Sequence, residues 1–188
     1  VTAKLNMRDG YRGGFDLDES VPFAQTLERD GHLDALELTG GSSLMNPMYL
    51  FRGDAPVKEM AQRMPLKSVT KAGMRMSGHT FFKEYPWTPL YFLEQARQFR
   101  AAVSMPLILL GGITDRSAIE TAMSEGFEFV AMGRALLREP DLVDRMQRQP
   151  QTESKCIHCN LCMSTIYMGT HCHLAGVDQP PPDRQGAA

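Results

Sequence analysis

The sequence lacks several features that would place it in a specialised class of protein. It contains a single Trp, and none of its apolar runs approaches the roughly 18 residues of a membrane-spanning helix. No segment resembles a signal peptide. The net charge is only -2, from 20 Lys+Arg against 22 Asp+Glu, which provides no overall attraction to nucleic acid or anionic lipid. We therefore expect a cytoplasmic globular protein with no nucleic-acid or membrane partner.

Cysteine is absent from the first 155 residues, and all 4 cysteines lie in one short segment near the C-terminus. A secreted disulfide scaffold would spread its cysteines along the chain, whereas closely spaced thiolates can converge on one metal or cluster. Histidines lie between them, so zinc with mixed ligands is an alternative to a four-thiolate iron–sulfur cluster, and a metal-free reduced hairpin is a third. The predicted ligands are Cys156, Cys159, Cys162 and Cys172.

Hydrophobic periodicity predicts four strands with helices between them. The strands are expected over 2–7, 35–39, 107–110 and 129–132, the third being apolar on both faces as in a strand covered by layers on each side. The helices are expected over about 18–30 with Asp18 or Ser20 as cap, near 57–63, over 88–102, from a cap at Thr114 or Asp115 to Gly126, and over about 134–147. This α/β alternation indicates a parallel sheet, either doubly wound or part of a (β/α)8 barrel.

The composition divides the chain into three parts. Residues 1–150 carry the α/β pattern, 151–176 form the cysteine-rich segment, and the proline-rich residues 177–188 are expected to be a disordered tail. A long excursion over 42–83 is typical of a functional or mobile loop. Val1 already lies in a strand-like run, so we expect the chain to be the back portion of a longer protein.

Two glycine-containing strand ends are the main candidates for an anion site. Gly111-Gly112 and Gly133-Arg134 follow consecutive strands, where glycines allow backbone N–H groups to approach a phosphate and helix N-termini and Arg134 add positive charge. The alternative is that both are strand-to-helix turns that need glycine for backbone reasons.

Lys4 and a group of aromatic residues have two interpretations each. Lys4 lies on the polar face of the first strand, either beside an anionic cofactor or as a solvent-facing residue. The aromatic residues could cover a flat cofactor or anchor the long loop, and they are Phe81, Phe82, Tyr85 and Trp87.

Five segments, taken in order, resemble the old yellow enzyme family of NADH:flavin oxidoreductases. The resemblance covers residues 1 to about 173 and is greatest to the bacterial branch related to 2,4-dienoyl-CoA reductase and trimethylamine dehydrogenase, in which a cysteine segment follows the barrel. The segments are Ala3-Lys4-Leu5, Gly13-Gly14-Phe15, residues 35–40, residues 110–113 and residues 130–137.

The resemblance implies the C-terminal half, strands 5–8, of an FMN-binding (β/α)8 barrel. Gly111, Gly112, Gly133 and Arg134 would hold the FMN phosphate, and Lys4 would lie near the pyrimidine edge of the flavin, where the family usually has Arg. The cysteines would hold a [4Fe–4S] cluster that passes single electrons, although the spacing of the third and fourth departs from the reductase pattern.

The resemblance also implies an ene-reductase reaction, in which hydride passes from NAD(P)H through FMN to an activated alkene such as an enone or enoyl thioester. The family's substrate-binding and proton-donating residues lie in earlier strands, so we assign no catalytic residue and expect this segment alone to be inactive. The alternative is a non-catalytic half-barrel, or an electron-transfer or metal-binding module. Half a barrel leaves open sheet edges, which favours a homo-oligomer.

Overall fold

The chain folds around one parallel β-sheet. The computed structural model describes residues 1–63, 68, 70, 72–73, 76, 78, 82–166 and 169–175, so the predicted tail over 177–188 lies outside the described residues. The strands of the described residues are adjacent in chain order, which confirms the predicted α/β class and parallel sheet. They are β1 (Thr2–Asn6), β2 (Ala35–Thr39), β3 (Leu107–Leu110) and β4 (Phe129–Ala131).

Helices connect the strands and extend beyond the last one. In chain order they are α1 (Leu17–Asp30), α2 (Pro47–Leu50), α3 (Val57–Arg63), α4 (Leu93–Ala102), α5 (Arg116–Ser124), α6 (Arg134–Arg138) and α7 (Leu142–Arg148), followed by a 3-10 helix over Leu161–Thr165. Among the helices of the described residues, none has both the length and the apolar character needed to cross a bilayer. The 3-10 helix, which belongs to the cysteine segment, packs against α3.

The core lies on one face of the sheet, where α1 and α4 cover it. Side chains in β1 alternate as predicted, with Leu5 buried and Lys4 exposed on the opposite face. In β3, Leu107 and Leu109 are fully buried, but Ile108 and Leu110 are only partly buried. Within the residues that the structure describes, the prediction that β3 is covered on both faces is therefore wrong, because their helices pack on one side of it.

The cap of α1 differs from the prediction. Asp16, not Asp18 or Ser20, caps the helix, since its carboxylate accepts a hydrogen bond of 2.7 Å from the Leu17 N–H. Ser20 is instead buried and donates its hydroxyl to the Met7 carbonyl at 2.8 Å. A serine in the first turn thus ties α1 to the end of β1.

Two other helices are shorter than predicted. The helix expected over 88–102 begins at Leu93, because Leu90 has a left-handed φ of 52° and donates its N–H to the Gly112 carbonyl at 3.1 Å. The helix expected over 134–147 divides into α6 and α7, with Pro140 in the break between them. A proline lacks the N–H that a continuous helix would need there.

The remaining boundaries agree with the sequence. Asp115 caps α5 by accepting from the Ala118 N–H at 2.8 Å, and Gly126, with φ of 87°, follows its end. The short helix expected near 57–63 is α3.

Candidate functional site

A cavity opens at the carboxyl ends of β3 and β4. Gly111, Gly112, Gly133 and Arg134 all line it, so the structure brings together four of the five residues predicted to hold a cofactor. We call it the glycine cavity. Its volume of about 110 Å³ is below the roughly 300–1,000 Å³ of complete ligand pockets. It therefore suits one part of a ligand, such as a phosphate group, rather than a whole cofactor.

Close packing explains the first two glycines. Gly111 and Gly112 have φ angles of 109° and 72°, in the region that disfavours other residues. A Cβ atom at Gly111 would lie 2.7 Å from the Tyr91 ring, and one at Gly112 would lie 2.5 Å from the Thr88 carbonyl oxygen. The backbone reasons considered in the sequence analysis are therefore sufficient at these two positions.

Gly133 differs from the other two glycines. A Cβ atom there would meet nothing within 4 Å, while its φ of -104° and ψ of -85° lie outside the usual helical and extended regions. Packing therefore does not demand glycine at this position, which lines the glycine cavity. The small residue at 133 keeps room beside Arg134 for a ligand.

The Arg134 guanidinium is held from the side of the long loop and the cysteine segment. Its Nη1 donates to the Arg52 carbonyl at 2.7 Å and to the side-chain Oδ1 of Asn160. A guanidinium carries five N–H donors, so these two bonds from one nitrogen leave donors for a ligand oxygen. Arg134 also lines a second cavity, on the side of the cysteines.

The four cysteines line that second cavity, which we call the cysteine cavity. All are free thiols, and burial raises the pKa of Cys156 and brings that of Cys162 to about 11, opposed by the nearby Arg134 charge. Within the described part of the chain, however, no group of three or more His, Cys, Asp or Glu side chains is arranged to hold a metal ion. The thiols share a cavity without forming a ready ligand set.

Trp87 and His158 form a stacked pair at the glycine cavity. Their ring centroids are 3.9 Å apart at an angle of 13°, and both side chains line the cavity. Burial and the Arg134 charge lower the pKa of His158 to about 4, so the ring is neutral at pH 7. Phe82 packs instead into a cluster with Met48 and Val57, and Phe81 lies outside the described residues. The predicted aromatic group is thus divided between cavity wall and loop anchor.

Asn160 is a site residue that the sequence analysis missed. It is only 2% exposed and has a left-handed φ of 54°. Its Nδ2 donates to the Phe51 carbonyl at 2.7 Å and the Asp54 carbonyl at 2.9 Å, while its Oδ1 accepts from Arg134. Nothing in the sequence singles out this residue beyond its position next to Cys159.

Lys4 does not join the other predicted residues in the glycine cavity. It lies on β1 at the far side of β2, and its Nζ is 2.9 Å from Oε1 of its cross-strand neighbour Glu37. The Lys4 side chain is 70% exposed and that of Glu37 is 13% exposed. The cation is therefore accessible on the open face of the sheet, and its predicted role beside a flavin stays a prediction.

Comparison with known proteins identifies the family. Residues 56–153, just over half of the chain, match the model of the NADH:flavin oxidoreductase / NADH oxidase family. The chain belongs to this family. The matched segment includes all of Gly111 to Arg134 but neither Lys4 nor the cysteines, so the glycine cavity is the part of the site that the family match covers.

Two of the proteins that are similar to the chain illustrate its relationships. One is the 4,4'-dithiodibutanoate disulfide reductase of Rhodococcus erythropolis, 55% identical over 172 residues that make up 92% of this chain and 42% of that protein. The chain thus spans less than half the length of this relative. The other is a structure of 2-naphthoyl-CoA reductase with 2-naphthoyl-CoA, at TM-score 0.56 and 19% identity, over 84% of this chain and 19% of that one. This second likeness concerns the fold alone.

Proposed function

We propose that this chain is the C-terminal half, strands 5–8, of an FMN-binding (β/α)8 barrel, and that the whole protein is an FMN-dependent oxidoreductase. The parallel strands in chain order support the barrel, since consecutive βα units of a barrel pair in that order. The chain matches 42% of a longer relative, which supports the proposal that it corresponds to only part of a barrel. In barrel enzymes the loops after the last two strands commonly bind phosphate, and here β3 and β4 take those places.

The observation that carries the proposal is the open space at Gly133 beside the Arg134 guanidinium. These residues, with the Gly111 and Gly112 backbone, would hold the FMN phosphate. Lys4, on the open face of the sheet, would contribute positive charge near the flavin. Bound FMN supplies the ability to accept hydride from NAD(P)H and pass it on. The chain's own residues contribute binding and charge.

The reaction we propose first is reduction of an activated alkene, such as an enone or enoyl thioester. The hydride comes from NAD(P)H, and one proton from a residue outside this chain or from water completes the saturated product. A second candidate is reduction of a disulfide to two thiols, which consumes the same hydride and one proton. It is favoured by the 55% identity to a relative named as a disulfide reductase.

The test uses the full-length protein purified without oxygen. We expect the absorption bands of bound flavin, loss of these bands on addition of NADH or NADPH, and their return when an oxidant substrate is added. Return with an enone or enoyl thioester supports the first reaction, and return with 4,4'-dithiodibutanoate alone supports the second. Protein that stays colourless after incubation with FMN would overturn the proposal and favour the non-catalytic half-barrel.

For the cysteine segment we propose a bound metal, with a [4Fe–4S] cluster first and zinc as the alternative. The support is that four thiols line one cavity. The side chains as placed do not form a ligand set, so we assign no electron-transfer step to them. Iron and zinc, quantified on the anaerobic sample, distinguish the cluster, the zinc site and the metal-free hairpin.

We further propose a cytoplasmic protein with a small-molecule substrate, in which residues 1–150 form the barrel part and 151–176 the cysteine segment. The isolated chain should associate with itself, since no strand of the described residues pairs with the outer edge of β1 or of β4. Light scattering of residues 1–188 tests this, and a stable monomer at high concentration would contradict it.

A further inference from the structure

Arg134 lies between two parts of the molecule that are held in different ways. On one side it lines the glycine cavity, whose walls are the ends of β3 and β4. On the other side it lines the cysteine cavity, together with Asn160. The Arg134 guanidinium is the cation that these two cavities share, so any shift of the cysteine segment acts on the same group that would contact a phosphate.

Asn160 makes the connection between them. Its Nδ2 donates hydrogen bonds to the carbonyl groups of Phe51 and Asp54, and its Oδ1 accepts a hydrogen bond from Arg134. Because Asn160 is 2% exposed, water cannot replace these partners easily. The Asn160 amide thus fixes the position of the Arg134 guanidinium. The position of Asn160 is in turn set by its bonds to the loop and by its neighbour Cys159.

We propose that Asn160 is a positioning residue for the flavin site, and that through it the cysteine segment sets the affinity of the glycine cavity for phosphate. This inference rests on the proposed function, since it takes the phosphate of FMN as the ligand. A fixed guanidinium loses less freedom when a ligand binds, so preorganisation by Asn160 strengthens binding of the phosphate. Preorganisation of Arg134 does not strengthen binding of the rest of the flavin.

The coupling has to act in both directions. If the arrangement of the cysteine segment alters FMN affinity, then bound FMN stabilises that arrangement by the same factor. Occupied protein should therefore expose its thiols to alkylation less often than the apoprotein. The expected signature is slower labelling of Cys162 with FMN than with riboflavin, which lacks the phosphate.

The experiment compares FMN with riboflavin in apoprotein prepared from the full-length chain, by quenching of flavin fluorescence. Asn160→Gly removes the amide, and glycine adopts the positive φ at this position without strain. We expect about 10-fold weaker FMN binding, as for loss of one hydrogen bond to a charged group, and unchanged riboflavin binding. Asn160→Asp, which tolerates the same φ, places a carboxylate on Arg134 that competes with the phosphate, and it should show the same selective loss.

The matched control is Thr165→Val, which removes a buried hydroxyl elsewhere in the same segment. The Thr165 Oγ1 donates to the Cys162 carbonyl at 3.0 Å. This variant should leave the ratio of FMN to riboflavin affinity unchanged. An equal loss of both flavins in the two Asn160 variants, or no loss in either, would overturn the inference. Wild-type protein that binds riboflavin as tightly as FMN would instead overturn the proposed function.

Discussion

The glycine cavity and the cysteine cavity are both lined by Arg134 but are built differently. The walls of the glycine cavity are the ends of paired strands, and backbone and ring atoms lie close enough to exclude a Cβ at Gly111 and Gly112. The cysteine cavity is built largely from a segment without strands, whose regular structure in the described residues is the 3-10 helix over Leu161–Thr165.

Several side chains attach the cysteine segment to the rest of the molecule, and three of them are buried. Asn160 bonds to the loop, Met163 packs with the apolar cluster beneath α2 and α3, and Glu139 bonds to the start of the segment. Glu139, 8% exposed, accepts from the Ser154 hydroxyl at 2.9 Å and from the Lys155 N–H, and it also pairs with Arg145. The comparison teaches that one wall of the site follows from the sheet, whereas the other depends on a few buried polar groups.

The largest effect on stability should come from the sheet side. Gly112→Ala forces a left-handed alanine against the Thr88 carbonyl and the Leu90 N–H, at 2.5 and 2.6 Å from the new Cβ. Overpacking and the unfavourable φ together should cost about 3 kcal/mol in the free energy of unfolding. Unfolding of the variant and of wild type in denaturant measures this difference in free energy.

Gly133→Ala is the matched control for Gly112→Ala. Its Cβ meets nothing within 4 Å, so we expect a smaller loss of stability than for Gly112→Ala, together with weaker FMN binding because residue 133 lines the glycine cavity. Equal destabilisation by both alanines would contradict the distinction drawn between the two glycines.

An intermediate effect is expected at the attachment of the cysteine segment. Glu139→Gln removes the charge from a buried carboxylate that accepts two hydrogen bonds and pairs with Arg145. The change should lower the free energy of unfolding by about 1–3 kcal/mol. The loss should be local, so limited proteolysis should cut residues 151–166 faster. In Glu120→Gln, which breaks only an exposed pair with Arg116, cleavage should be unchanged. If both variants are cut at the wild-type rate, Glu139 does not hold the segment.

The smallest effect should lie far from both cavities. Asp16→Ala removes the cap of α1 and should cost about 1 kcal/mol at neutral pH. The Leu17 N–H and Arg8 lower the pKa of Asp16, so its carboxylate stabilises the fold fully above its ordinary pKa, and this contribution is lost as the pH falls through the lowered value. The difference in melting temperature between the variant and wild type should shrink in acid, and a constant difference would contradict this role.

The sequence predicted the regular half of the molecule well, because strand and helix periodicity is local. Residues 35–39 and 107–110 are strands as expected, and Asp115 caps α5. Capping of α1 was misplaced because Asp16, Asp18 and Ser20 are all suitable caps, and only the path of the chain selects one. The late start of α4 depends on Gly112, a partner distant in sequence.

Only part of the candidate site could be predicted, because local patterns in the sequence do not show which distant residues meet. Gly133 and Arg134 follow a strand and could be found from that position, and the shared strand end brings them to Gly111. Asn160 could not be found, because its three partners come from residues 51, 54 and 134, far from it along the chain. Lys4 was placed on the correct face of β1, but its pairing with Glu37 needed the register of two strands.

The most direct test of the account is titration of apoprotein from the full-length chain with FMN and with riboflavin, in wild type and Arg134→Gln. We expect the variant to bind FMN roughly 10- to 100-fold more weakly, as for loss of charged hydrogen bonds, and riboflavin as wild type does. Arg148→Gln, which removes an exposed cation of α7, should change neither. Equal FMN affinity in wild type and Arg134→Gln would show that the glycine cavity does not hold the phosphate, and would contradict the central claim.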